Sequence, residues 1–339
     1  MTRYAALSLI AVVAFTAPCF AQDAAQWVTY PGGEGPGAGK HVVIVSGDDE
    51  YRSEESMPQL GKILSVRHGF KVTVLFAINK ETGAIDPTTL DNIPGLEVLD
   101  SADLMILFLR FRELPDDQMK RILDYTNSGK PIMALRTSTH PFFYKDASRV
   151  YAKWNWNSKD PQGGYGREVL GETWVNHYGK HEVQSTRGVP APGAEGNVIL
   201  RGCEDVWGAS DVYEVTTLSG DSQPVLLGVV LSGMDPKDAP AEAMKQLPVA
   251  WTKSYTGTSG KKSRVFTTTM GHVKDFTSEG FRRLLVNGVY WATGIEDQIP
   301  ARNFNNVNFV GEFEYTKIGF GTHQKGVMPA HHALAVETK

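Results

Sequence analysis

Cysteine is almost missing from this chain: Cys19 and Cys203 are the only two among 339 residues. That excludes a fold stapled by a disulfide framework, so an apolar core must do the work. Runs of basic residues are missing as well. The chain has 34 Lys and Arg against 38 Asp and Glu, a formal charge of −4. A mildly acidic chain without a basic stripe is not built for nucleic acid. The isolated pair Lys261-Lys262 follows Gly260 and reads as a solvated turn. The apolar run Ala5–Ala17 is too short to span a bilayer, and no other stretch is long enough. A phosphate-cradling loop is missing too. The glycine-rich stretch around Pro31–Gly37 precedes the first strand, whereas such loops lie between a strand and a helix.

What is present at the N-terminus has the layout of a secretory leader. Arg3, the apolar run and the small-residue site Pro18-Cys19-Phe20-Ala21 predict cleavage after Ala21 and a periplasmic or secreted chain, with no membrane attachment afterwards. Cys19 would leave with that leader. Cys203, between Gly202 and Glu204, has no cationic neighbour to favour a thiolate and reads as an inert small residue. With 41% hydrophobic residues the rest can bury a large core.

Residues 22–40 read as a flexible lead-in, and 41–295 as one elaborated domain. Continuous apolar runs at 41–46, 71–77, 104–109 and 131–135 are the mark of strands buried on both faces. Between them, the spacing of Met57, Leu60 and Leu64 predicts a helix from about Glu54 to His68. Pro115-Asp116-Asp117 opens a second helix whose inner face is Met119, Ile122 and Leu123. This alternation predicts an α/β fold with a doubly wound, flavodoxin-like sheet. Short helical character is expected near 167–174. Further β-like runs at 198–200, 212–217, 225–231, 248–255 and 264–269 predict antiparallel additions to that sheet. A last helix is expected over 278–292, capped by Thr277, and 296–339 as an irregular arm on the surface.

Two apolar strands stop at small polar loops that carry a histidine, one at Arg136-Thr137-Ser138-Thr139-His140 and one at Thr269-Met270-Gly271-His272. Loops at the carboxyl ends of strands are where open α/β sheets bind ligands. His272 and His140 are therefore the expected acid/base pair. Arg136, at the end of a buried strand, needs an acid or a ligand oxygen; the sequence offers Asp48, Asp49 and Glu50 as partners. Substrate contacts are expected from Arg136, Ser138, His177 and Asp48, with Trp174 and Tyr165 as aromatic faces of a sugar-gripping rim. No cofactor is expected. The alternative is a divalent ion on His140, His177 and His272, and the bland one a hydrogen-bonded polar cleft. His41 starts a strand and His68 ends a helix, while His181, His323, His331 and His332 fall in or near segments expected to be exposed. The expected partner is a small-molecule carbohydrate, and a homo-oligomer is compatible with the sequence.

Three stretches resemble the ThuA-like family, named for trehalose utilisation: Val45–Ser56, Pro131–Phe142 and Val265–His272, the last followed by Phe281–Gly294 with its Asn287-Gly-Val-Tyr-Trp291 ending. The resemblance implies a class I glutamine-amidotransferase-like fold and a place in carbohydrate metabolism. Amidotransferases of that fold carry a cysteine at the elbow and a histidine after a late strand. By the resemblance His272 stands near the second position, while Arg136 or a neighbour stands at the first. That implies a protein that is not a glutamine amidotransferase. A non-catalytic binding module and a metal-dependent hydrolase are the alternatives.

Overall fold

The computed structural model describes residues 25–335, so the leader expected at 1–21 lies outside the described residues. Its centre is a ten-stranded mixed sheet. The strands, in chain order, are β1 (Trp27–Tyr30), β2 (His41–Gly47), β3 (Lys71–Phe76), β4 (Leu104–Leu109) and β5 (Ile132–Leu135), then β6 (His177–Tyr178), β7 (Thr186–Pro190), β8 (Trp207–Gly208), β9 (Val212–Tyr213), β10 (Gln223–Val230), β11 (Leu247–Thr256) and β12 (Lys262–Thr268). The helices are α1 (Ser53–His68), α2 (Asp116–Asn127) and α3 (Glu279–Ala292).

Strands run in the order β1-β3-β2-β4-β5-β12-β11-β10-β7-β8, and β6 pairs with β9 in a separate ribbon. The block β3-β2-β4-β5-β12 is parallel. Over β2 to β5 it has the flavodoxin-like winding that the sequence predicts, with the direction of winding reversing between β2 and β4. Strand β12, expected among the antiparallel additions, instead extends the block parallel to β5, from Val265↔Ile132 to Thr268↔Leu135. The remaining neighbours are antiparallel additions.

The apolar runs form central strands because both sheet faces are covered. Val42 and Ile44 point into a core with Met57, Leu60, Leu64, Phe281 and Leu284, under α1 and α3. Val43 and Val45 point into a second core with Met119, Ile122 and Leu123, under α2. Alternate residues of one strand thus feed opposite layers. At the end of α1, Gly69 takes a positive φ of 79°, and the Gly69 and Phe70 amides close the helix onto the Ser65 and Leu64 carbonyls.

Several expectations are corrected. The lead-in holds an edge strand, β1, paired antiparallel with β3 from Trp27↔Leu75 to Tyr30↔Val72. The run Val198–Leu200 is a short 3-10 turn instead of a strand. Residues Gly166–Leu170 form a single π turn. The cap of α3 is Ser278, whose hydroxyl accepts from the Phe281 amide, so Thr277 lies one residue outside. The C-terminal stretch has little regular structure, yet it is stitched in. Arg52 donates to the carbonyls of Lys317 and Gly319, Arg282 to that of Val307, and Val307 is buried.

Candidate functional site

The carboxyl ends of β2, β4, β5 and β12 open on one edge of the sheet. After β5, Arg136 adopts a left-handed φ of 41°, an unfavourable conformation for a residue with a β-carbon. This sharp elbow turns the guanidinium inward, where it is fully buried. It donates to the carbonyls of Asp211 (2.9 Å) and Thr269 (3.3 Å) and to the Ser210 hydroxyl (2.9 Å). It also stacks on Tyr51, 3.8 Å from the ring centroid. Its acid partner is Asp211, with Nη2 3.7 Å from Oδ1. The expected partners at the end of β2 are engaged elsewhere: Asp49 (3.1 Å) and Glu50 (3.6 Å) pair with Arg110.

Asp211 is the hub of the site, and its side chain is 0% exposed. Oδ2 lies 2.5 Å from His177 Nδ1, and Oδ1 lies 2.8 Å from His181 Nδ1. Ser210 donates to Oδ1 at 3.0 Å. Burial alone would raise the Asp211 carboxyl, but the two imidazoles and Arg136 outweigh it and hold the group well below the ordinary carboxylate range. The same contact raises His181 above the usual imidazole value. Local structure explains the convergence. The β6–β9 ribbon sets His177 opposite Tyr213, two residues from Asp211 and so on the same face. Gly179, at φ 100°, then folds the chain back so that His181 reaches the same carboxylate; a β-carbon there would sit 3.3 Å from that of Asp211. His177 and His181 stay partly open, with side chains 36% and 33% exposed. The carboxylate of Glu50 lies 3.7 Å from His181 Nε2.

The other expected site residues fall into two groups. His272 belongs to the neighbourhood: its ring and that of His181 flank Tyr51, with centroids 5.9 and 6.1 Å away. Its Nδ1, however, accepts the Lys274 amide at 2.9 Å and caps a short turn. Burial, then Arg136 and Lys274, pushes it down to about 3. The neutral ring is favoured, and with Nδ1 accepting the Lys274 amide its proton sits on Nε2, which makes that atom a hydrogen-bond donor. His140 is buried and its pKa falls well below the usual value, first by burial and then through Arg110 and Arg136. Its ring packs among Phe111 (4.8 Å), Trp174 (5.5 Å) and Tyr213 (5.6 Å). Trp174 also touches Trp156 (5.6 Å) and His177 (6.0 Å). One aromatic wall therefore runs from Trp156 to the Asp211 histidines. A shallow hollow of about 500 Å³ opens beside Trp156 and Trp174, and another of about 600 Å³ opens beside His177.

Ser138, Tyr165 and Asp48 are not on this wall. The Ser138 hydroxyl donates to the Leu107 carbonyl (2.8 Å) and accepts from the Leu109 amide (3.1 Å), locking the elbow to β4. Tyr165 is a core residue, packed on Phe142 and bonded to the Thr126 hydroxyl at 2.8 Å. Asp48 is fully buried and shapes its own loop, accepting from the Thr137 hydroxyl (2.8 Å) and from the amides of Glu50 (3.0 Å) and Tyr51. Burial and neighbouring Asp49 raise it to about 6. Cys203 lies apart, its thiol pushed up to about 12 by burial.

The residues that sequence reasoning missed are His181, Asp211, Tyr51 and Tyr213. The His177-x₃-His181 spacing was there to be read, but a loop gives no cue that two such rings converge. Asp211 carries no local signal; only the fold puts it over the elbow. As for a metal, His140, His177 and His272 do not form a ligand set. Among the described residues, His177, His181 and Asp211 do, with their ligand atoms all within 4.8 Å of one another.

Winding and site together define a flavodoxin-like α/β protein whose elbow presents a buried arginine, and whose carboxyl-edge site is built from imidazoles and a carboxylate. The ThuA family, described as trehalose utilisation, matches residues 41–292, and the chain belongs to that family. Among solved structures, a thua-like protein from Parabacteroides merdae is similar at 16% identity and a TM-score of 0.50, covering 80% of this chain and 96% of that one. A second, from Bacteroides uniformis, is similar at 13% identity and a TM-score of 0.45, over 78% and 95%. No curated protein matches the chain.

Proposed function

We propose that this protein is an exported member of carbohydrate metabolism that binds and processes a sugar or oxidised sugar at the carboxyl edge of its sheet, and that it does not hydrolyse glutamine. The observation that carries the reading is the continuous wall of Trp156, Trp174, His140, Tyr213 and His177, which ends at the imidazoles presented by Asp211. Apolar ring faces of a sugar stack on the partly exposed Trp156 and Trp174, which line the hollow, while buried His140 and Tyr213 back the wall and the sugar hydroxyls bond to the polar groups at its end. His177 and His181 are the groups that meet those hydroxyls. Nε2–H of His272 adds a donor, and Arg136 acts from behind by holding Asp211. Against amidotransferase chemistry stand an elbow occupied by Arg136 and a lone described thiol far above the range of a nucleophile. Export rests on the leader-like Met1–Ala21 and is checked by mass spectrometry of the mature N-terminus.

Calorimetry of the purified chain against a panel of sugars, keto-sugars and disaccharides, followed by product analysis, tests the function. Saturable binding with conversion is expected, both abolished in His181→Ala. Binding without conversion would make the chain a carbohydrate-binding module, and no binding across the panel would end the proposal.

A further inference from the structure

We propose that His177, His181 and Asp211 form a binding site for one divalent transition-metal ion of the zinc class. The inference goes beyond the carbohydrate reading, although both concern the same cleft. Two imidazoles and one carboxylate is a donor set that suits such ions and leaves positions open for water or a substrate oxygen. Here the ligand atoms come from two segments, the β6 turn and the start of β9, and all lie within 4.8 Å of one another.

The groups behind these atoms are arranged as supports. Asp211 Oδ1 is held by the Ser210 hydroxyl at 3.0 Å and faces Arg136 Nη2 at 3.7 Å, which fixes the plane of the carboxylate. Oδ2 is left to face His177. Metal-binding carboxylates are oriented by outer hydrogen bonds of this kind. The carboxylate is buried, while the two imidazoles are one-third exposed, so an ion has an entry path. Among the described residues, Nε2 of His177 has no hydrogen-bond partner, and Nε2 of His181 meets only Glu50, at 3.7 Å. His181 stands between two carboxylates, Asp211 at 2.8 Å and Glu50 at 3.7 Å, each of which also faces an arginine, Arg136 and Arg110 respectively.

Without an ion, each imidazole donates Nδ1–H to the carboxylate. An entering ion would accept the lone pairs of both Nδ1 atoms and of one carboxylate oxygen. The displaced proton of each ring moves to its Nε2, or goes to solvent if that nitrogen is already protonated. The two N···O contacts are made to different oxygens, 2.5 Å from His177 to Oδ2 and 2.8 Å from His181 to Oδ1, so one imidazole must turn toward the ligating oxygen. With all ligand atoms within 4.8 Å of one another, the set has to settle to edges of about 3.3 Å, those of a tetrahedron with zinc–ligand bonds near 2.0–2.1 Å. Gly179 and the two-residue ribbon make that adjustment local.

The test uses the full mature chain, stripped with chelator and titrated with Zn²⁺ by calorimetry and with Co²⁺ by visible absorption. One ion per chain is expected, with ligand-field bands for Co²⁺. His181→Gln and Asp211→Asn should each weaken binding at least tenfold, while His331→Gln, an exposed residue of the arm, should leave it unchanged. Should Asp211→Asn fail to fold, His181→Gln decides alone, because its ring is partly exposed. Absence of stoichiometric binding, or equal binding by His181→Gln and His331→Gln, overturns the proposal. Neither result bears on the carbohydrate reading, whose own calorimetry is run on metal-free protein.

Discussion

The parallel half of the sheet and the antiparallel half are built on different logics. In the parallel block, β2 and β4 are buried along their whole length and regular helices cover both faces. Hydrophobic burial sets that architecture, and few polar side chains are needed to specify it. Beyond that block, the edge strand β8 and the separate β6–β9 ribbon are made of two-residue strands. What fixes their positions is polar: Asp275 accepts the amides of Ala209, Gly271 and His272, and Arg136 reaches across to Ser210 and Asp211. The candidate site takes groups from both halves, with Arg136 and Tyr51 from the first and His177, His181 and Asp211 from the second. Arg136 is the rivet between them.

The comparison breaks most directly at that rivet. Arg136→Met should cost about 4 kcal/mol, because it leaves the buried Asp211 carboxylate without its cation. Thermal denaturation should show a large fall in Tm, and loss of less than about 1 kcal/mol would mean that the two halves hold together without it. An effect of opposite sign, complete only at alkaline pH, is expected inside the parallel half. Glu54 is buried at the start of α1, neither of its carboxylate oxygens has a hydrogen-bond partner among the described residues, and burial raises it from 4.5 to about 8. The unfolded chain therefore gives up this proton first, and stability falls as pH rises from about 4.5 to 8, then levels off. Glu54→Gln keeps the neutral form at every pH. It should match the parent below pH 4.5 and exceed it by up to roughly 5 kcal/mol well above pH 8, read from denaturant melts at both ends. Equal stability at pH 9 would contradict that picture. The smallest effect on folding belongs to the wall: Trp174→Ala should change stability by about 1 kcal/mol or less and weaken sugar binding about tenfold. Unchanged sugar affinity in that variant would separate the wall from the ligand.

How much could be read in advance follows the same division. The strands β2, β3, β4, β5 and β12 and the helix α3 were legible because continuous apolar runs and three-to-four spacing have one physical outcome each. Edge strand β1 was hidden behind the adjacent Pro-Gly stretch, since four residues carry too little pattern to outweigh turn formers. Within the site, the elbow at Arg136 and the loop of His272 were legible as strand ends. Their partners were not: Arg136 could have met any acid, and the strand-end acids Asp48–Glu50 that the topology suggested are engaged elsewhere, Asp49 and Glu50 with Arg110, while Asp211 takes the place. Tyr165 and Trp174 look alike on paper, as aromatics in a glycine-rich insertion, yet one packs inward against Phe142 and the other lines the cleft. Only packing separates them.

The stitching of the C-terminal stretch has a mechanical consequence. Its Gly319 amide bonds to the Glu50 carbonyl at 2.9 Å, two residues before the Arg52 side chain that clasps Lys317 and Gly319. The stretch therefore braces the loop that carries Glu50 toward His181. A cut or a bound antibody far out along that strap would slacken the loop and be felt at the histidines without touching them.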